Sequence, residues 1–252
     1  MRKIICSVVS ACLLSALTAP AQDTDPDLMQ KRLKLETKLT RLVSVSYLLY
    51  LPKAYDAKAA KKWPLILFLH GAGERGADLA KVAIHGPPKL VKQKQEFEFI
   101  IVSPQCPTGQ HWDNEAMLAL LDDVIASHKV DTSRVYLTGL SMGGYGTWSL
   151  GLAHPERFAA IAPICGGGDP IAALLPNLKT QAALKSLPIW VFHGAKDPVV
   201  RLSESERMVE AVKRAGCKDV QLTVYPEAQH DSWTESYANP QLYEWFLAHE
   251  RK

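Results

Sequence analysis

Three side chains of this sequence, Ser141, Asp197 and His230, are of the types that together transfer an acyl group. Ser141 sits in Gly139-Leu140-Ser141-Met142-Gly143, a G-x-S-x-G pentapeptide. A lone serine hydroxyl is a poor nucleophile. It becomes a good one when an imidazole takes its proton and a carboxylate holds that imidazole in place. The pentapeptide has mechanical meaning between a strand and a helix, where a sharp turn pushes the serine hydroxyl out of the sheet. Arg134–Thr138 is an apolar run of strand length, and a helix-compatible run follows to Ala153. Gly139 and Gly143 carry no Cβ, so the strand and the helix can pass close to Ser141. The Met142 amide, at the start of that helix, would face a developing oxyanion, which the helix dipole also favours. A glycine-rich loop at a strand end is the competing reading of the pentapeptide alone, so the partners decide.

In a strand-turn-helix arrangement of this kind the acid and then the histidine follow the serine, on loops after later strands. Downstream lie His154, His193, His230 and His249. His154 ends a helical run in His-Pro, His193 closes a strand in His-Gly where packing suits it, and His249 sits near the chain end. His230 lies in the polar loop Pro226–Ser232, after the strand-like Val220–Tyr225, and is the one placed to swing over a sheet edge. Asp197 stands just past the strand-like Ile189–Phe192 and would fix the tautomer of His230. Asp169, one strand earlier, is the alternative acid, and a turn or cap is the plain role for an Asp next to Pro. A second oxyanion donor is expected from His70-Gly71-Ala72-Gly73, at the amide of Ala72 or, failing that, Gly73. Glu74 and Arg75 are expected to pair and shape that loop, and His70 to pack without a metal. Trp112, Tyr145 and Trp233 fall in or near loops on the same side and are candidates to line a substrate pocket.

These residues need a scaffold. Leu65–Leu69, Phe97–Val102, Phe158–Ile164, Ile189–Phe192 and Val220–Tyr225 are strand-like, several of them continuously apolar, as in strands covered on both faces. Asn114–Ser127, Ser203–Ala215 and Pro240–Glu250 are helix-like. Ala77–Lys94 is partly helical and broken by Gly86-Pro87-Pro88, and Ile171–Lys185 is a helix or loop excursion. Leu39–Leu51 suggests antiparallel strand at a sheet edge, and Asp23–Lys34 is helix-compatible. Alternating strand and helix predict an α/β fold with a mostly parallel sheet flanked by helices on both faces and no large lid.

The composition, 47% hydrophobic and 22% charged over 252 residues, suits one globular domain, expected over residues 22–252. Met1-Arg2-Lys3, the apolar Ile4–Leu17 and Ala19-Pro20-Ala21 have the order of a secretory signal peptide over residues 1–21, implying a secreted or periplasmic protein. Val9-Ser10-Ala11-Cys12 resembles a lipoprotein box but comes too early. Arg2 and Lys3 supply most of the +3 net charge, so the remainder is nearly neutral and gives no case for nucleic acid. No stretch is long and apolar enough to span a membrane. Beyond the leader stand Cys106, Cys165 and Cys217. Cys106 and Cys165 could form one bridge or remain two buried thiols.

HGAGERG (70–76), HGPPKL (85–90), SPQCP (103–107), GLSMGGYGTW (139–148), ICGGGD (164–169), HGAKDPVV (193–200) and HDSWTESY (230–237) resemble bacterial exported esterases of the α/β-hydrolase fold. These are close to phospholipase/carboxylesterases, dienelactone hydrolases and polyhydroxybutyrate-depolymerase-like enzymes, and are often labelled predicted peptidases. The resemblance covers about Leu65 to Phe246. It implies Ser141, Asp197 and His230 as triad, the amides of Ala72 and Met142 as oxyanion hole, and no cofactor or metal. Dienelactone hydrolases carry a cysteine where Ser141 stands, which argues against that activity. The expected substrate is a small-molecule or polysaccharide-linked ester with a short or aromatic acyl group, such as feruloyl or acetyl. A prolyl-oligopeptidase-like peptidase and an inactive binding module are the competing functions.

Overall fold

The computed structural model describes residues 24–25, 30–31 and 34–251. The expected signal peptide, residues 1–21, lies outside them. Contacts divide the chain into Met1–Leu42 and Val43–Lys252. In the first unit Thr24–Asp25 pairs antiparallel with Gln30–Lys31, where the composition had suggested helix. Pro26 supplies a reason, because the residue before a proline is driven out of the helical region.

The second unit is built on a sheet of seven strands: β1 (Tyr47–Tyr50), β2 (Trp63–Leu69), β3 (Ile100–Pro104), β4 (Val130–Leu140), β5 (Ala160–Ile164), β6 (Ile189–Gly194) and β7 (Val220–Tyr225). Their order across the sheet is β1-β3-β2-β4-β5-β6-β7. Only β1, at the edge, runs antiparallel to its neighbour; the other pairs are parallel. The helices are α1 (Gly86–Lys92), α2 (Asn114–Ser127), α3 (Met142–Ala153), α4 (Pro170–Leu174), α5 (Gln181–Ser186), α6 (Leu202–Arg214), α7 (Trp233–Ala238) and α8 (Pro240–Leu247).

Every residue of β2, β3 and β5 is buried, which explains their continuous apolar runs. Alternate side chains serve opposite faces. Leu65, Leu67 and Leu69 lie in one core cluster with Met117, Leu121 and Val124 of α2, and the cluster extends across the sheet to Met208 and Val212 of α6, which packs on β6 and β7. Ile66 and Phe68 pack on the other face with Tyr237 of α7 and with Leu242 and Phe246 of α8. Gly86-Pro87-Pro88 divides the helical stretch as expected: a 3-10 helix over Leu79–Ile84 ends before it, and α1 opens on it. A proline in the first turn forfeits no intrahelical bond and its fixed φ suits the helix.

The strand order reverses between β2 and β4, where crevices form at the carboxyl ends of parallel strands. Ala72 follows β2 and Ser141 follows β4. The topology therefore brings both to the switch point. Among the described residues no helix is long and apolar enough to cross a membrane.

Candidate active site

Ser141 occupies the single residue between the end of β4 and the start of α3. Its φ of 52° and ψ of −115° lie where side chains are rarely found. The turn is held from both sides. The Ser141 amide donates to the Ile164 carbonyl at 3.0 Å, and the Tyr145 amide donates to the Ser141 carbonyl at 3.0 Å. A Cβ on Gly143 would collide with the Leu69 carbonyl, and one on Gly139 with the Gly143 carbonyl. The two glycines are thus required by space, and the strain falls on the serine between them.

His230 comes from the loop after β7. Its Nε2 lies 2.9 Å from Ser141 Oγ and its Nδ1 lies 2.7 Å from Asp197 Oδ2. Asp197 comes from the turn after β6, and its side chain is fully buried. The other oxygen, Oδ1, accepts the amides of Val199 at 2.8 Å and Val200 at 2.9 Å. The turn role weighed for this Asp and the role of orienting His230 are therefore not alternatives. One oxygen serves each. Because Nδ1 faces a carboxylate, it carries the ring proton, and Nε2 is left to accept from Ser141.

The other histidines are engaged elsewhere. His154 stands 3.5 Å from Glu156, and His249 bonds Asp219 at 3.0 Å. His193 is buried beside Asp197. Asp169, the alternative acid, caps α4 by accepting the Ile171 amide at 2.9 Å.

A cavity of about 890 Å³ opens over Ser141. Ala72 and Met142 line it, whereas Gly73 does not. Trp112 and Tyr145 also line it, as expected for a pocket. Trp112 is fixed there, donating from Nε1 to the His70 carbonyl at 3.1 Å and lying edge-on to the His70 ring. Trp233 does not line this cavity. It packs edge-on against His230 with ring centroids 5.2 Å apart, supporting the imidazole instead. Sequence patterns also missed the far wall, Leu175, Pro176 and Asn177 after α4. The face of α3 made by Met142, Tyr145, Ser149 and Leu152 does carry a signal, since those residues recur at helical spacing.

Glu74 and Arg75 do not pair as expected. Glu74 Oε2 accepts the Gly71 amide at 2.8 Å, while Arg75 Nε donates to the Ala72 carbonyl at 3.0 Å. Adjacent residues on a helical turn point apart, so neighbouring opposite charges need not meet. Cys106, Cys165 and Cys217 are all free and buried. Burial pushes the Cys165 thiol up to about 12.

Residues 113–241, just over half of the chain and the span that holds Ser141, Asp197 and His230, match the phospholipase/carboxylesterase family profile. The chain belongs to the phospholipase/carboxylesterase family. Similar curated proteins include poly(3-hydroxyalkanoate) depolymerase C of Paucimonas lemoignei, 46% identical over 180 residues, covering 61% of this chain and 41% of that protein. Another is a probable feruloyl esterase C of Aspergillus terreus, 27% identical over 187 residues, covering 68% of this chain and 62% of that protein. The first curated relatives are matched over between a fifth and just over half of their own length. A crystal structure described as a thermostable esterase is 32% identical with a TM-score of 0.66, covering 82% of this chain and 59% of that one. The architecture of this family member is the α/β-hydrolase fold.

Proposed function

We propose that this chain is a serine hydrolase of carboxylic esters, exported by its N-terminal segment, with Ser141 as nucleophile, His230 as base and Asp197 as the group that orients it. The observation that carries it is the hydrogen-bonded relay from Asp197 through His230 to Ser141 at the switch point of the sheet. Ser141 Oγ attacks the ester carbonyl while His230 Nε2 takes its proton. The tetrahedral oxyanion meets the amides of Ala72 and Met142, the latter at the positive end of α3. Collapse expels the alcohol, which takes the proton from His230. Water, deprotonated by the same imidazole, then opens the acyl-enzyme.

The acyl group is short or aromatic. Trp112 and Tyr145 line a cavity roomy enough for a phenylpropenoyl group. The Aspergillus terreus relative, a probable feruloyl esterase, points the same way.

The experiment is active-site labelling joined to a substrate series. A fluorophosphonate probe labels the wild type and not S141A. p-Nitrophenyl acetate, p-nitrophenyl butyrate and methyl ferulate are cleaved faster than a peptide p-nitroanilide or a long-chain triacylglycerol. Equal labelling of S141A removes Ser141 as nucleophile, and a preference for the anilide makes the protein a peptidase. Y145A raises KM for methyl ferulate and leaves that for the acetate unchanged if the ring holds an aromatic acyl group.

A further inference from the structure

Among the described residues the relay leaves one buried carboxylate unused. Glu74 is 6% exposed and ends a short 3-10 turn, Ala72–Glu74, directly after β2. Its Oε2 reaches back to the Gly71 amide at 2.8 Å, the bond made by the glutamate of a capping box. The nearest imidazoles, His70 and His85, stand 3.9 Å from the carboxylate, beyond hydrogen-bond length. Holding Gly71 is thus what the carboxylate does.

The neighbouring groups are tied as well. His70 Nε2 accepts the Cys106 amide at 3.0 Å, so its proton is on Nδ1, which donates to the Gly71 carbonyl at 2.6 Å. Arg75 takes the Ala72 carbonyl and Trp112 the His70 carbonyl. The Gly71 carbonyl and the Ala72 N–H belong to one planar trans peptide, in which they point in opposite directions. Fixing that oxygen on His70 fixes the direction of the amide. As the first residue of its turn, Ala72 has no partner for this N–H within the turn. A Cβ on Gly71 would lie 2.8 Å from Leu140 Cδ1 and 3.1 Å from Glu74 Oε2, so a side chain there would push on both. The carboxylate fills the space beside it.

We infer that Glu74 is a positioning residue: by gripping the Gly71 amide it holds in place the residue whose carbonyl His70 fixes, and so keeps the Ala72 N–H aimed at the oxyanion formed on Ser141. This inference rests on Ser141 being the nucleophile. Reach, rather than charge, is what the grip requires.

Two substitutions separate these. E74Q keeps the reach and drops the charge; E74D keeps the charge and shortens the reach. For p-nitrophenyl butyrate, E74D lowers kcat by about 10- to 100-fold, short of or at the loss of a whole oxyanion donor, with KM within about twofold. The inhibition constant of a trifluoromethyl ketone, whose adduct with Ser141 is tetrahedral, rises by the same factor, while that of butyrate stays put. E74Q remains within about threefold of wild type on all of these. A72P removes the N–H itself and matches or exceeds E74D; the extended Gly71 accepts a following proline. Wild-type behaviour of E74D beside an impaired A72P overturns the role of Glu74 and leaves the oxyanion assignment standing. E74Q as impaired as E74D also overturns it, as does an active A72P. Loss of near-UV circular dichroism in E74D would make Glu74 a stability element and likewise end the proposal. Fluorophosphonate labelling of every variant reports separately on whether Ser141 is the nucleophile.

Discussion

His193 Nε2 lies 3.3 Å from Asp197 Oδ2, the same oxygen that His230 holds at 2.7 Å, so two imidazoles share one buried carboxylate. His193 Nε2 also faces the Val200 carbonyl at 2.8 Å, and its Nδ1 lies 2.7 Å from Ser205 Oγ. With two acceptors before it, Nε2 carries the ring proton. Val200 in turn donates its amide to Asp197 Oδ1. His193 therefore braces the turn that carries Asp197.

H193F fills the same space without the donor. It leaves the Val200 carbonyl without its donor, while Ser205 keeps its bond to the Gly166 carbonyl at 3.1 Å, and one unpaired group of this kind costs about 1–3 kcal/mol. Urea unfolding is expected to show a loss in that range, and kcat/KM to fall by about tenfold as the carboxylate loses its alignment. H193Q, which keeps a donor, recovers part of both. Unchanged stability and rate in H193F would make the ring mere packing.

Much of the site was legible because each part is local. A strand that ends in a glycine-flanked serine, and two later strand ends carrying an acid and a histidine, leave few ways to assemble. The structure brings those three side chains within hydrogen-bond reach. What was not legible depends on tertiary assembly. The wall at Leu175 and Asn177 is made by an excursion with no pattern of its own. Trp233, one residue after the loop that bears His230, turned out to back the imidazole because α7 begins there. Glu74 and Arg75 looked like a pair because they are adjacent. The turn sends one inward to Gly71 and the other to the Ala72 and Gln110 carbonyls.

His70 gives a pH dependence with a definite sign. Desolvation by burial lowers its pKa from 6.5, and it sits neutral between the Cys106 amide and the Gly71 carbonyl. Below pH 6.5 the unfolded chain takes up this proton before the folded one does. The unfolded state then binds more protons, so stability rises with pH across that window. It is complete above 6.5 and falls on acidification until the folded pKa is reached, by about 1.4 kcal/mol per pH unit at most. Urea unfolding of wild type and H70Q between pH 7.5 and about pH 5 checks this. The wild type should lose more stability than the variant over that range. Parallel profiles would show that His70 is not held neutral.

Strain at Ser141 predicts an order of stability between two variants that lack its hydroxyl. A non-glycine residue held at φ 52°, ψ −115° costs about 1–3 kcal/mol. Alanine at 141 keeps that cost because it keeps the Cβ. Glycine removes it but adds freedom to the unfolded chain, worth about 0.4–1 kcal/mol in the opposite direction. The net difference favours glycine by about 1 kcal/mol. S141G should therefore unfold at a higher urea concentration than S141A, with the same slope, although neither turns over an ester. Equal midpoints would mean that the strain is only about 0.4–1 kcal/mol, just offset by the entropy that glycine adds to the unfolded chain. A lower midpoint for S141G would leave only the entropy of the unfolded chain at work and remove strain from the account of how the hydroxyl is presented.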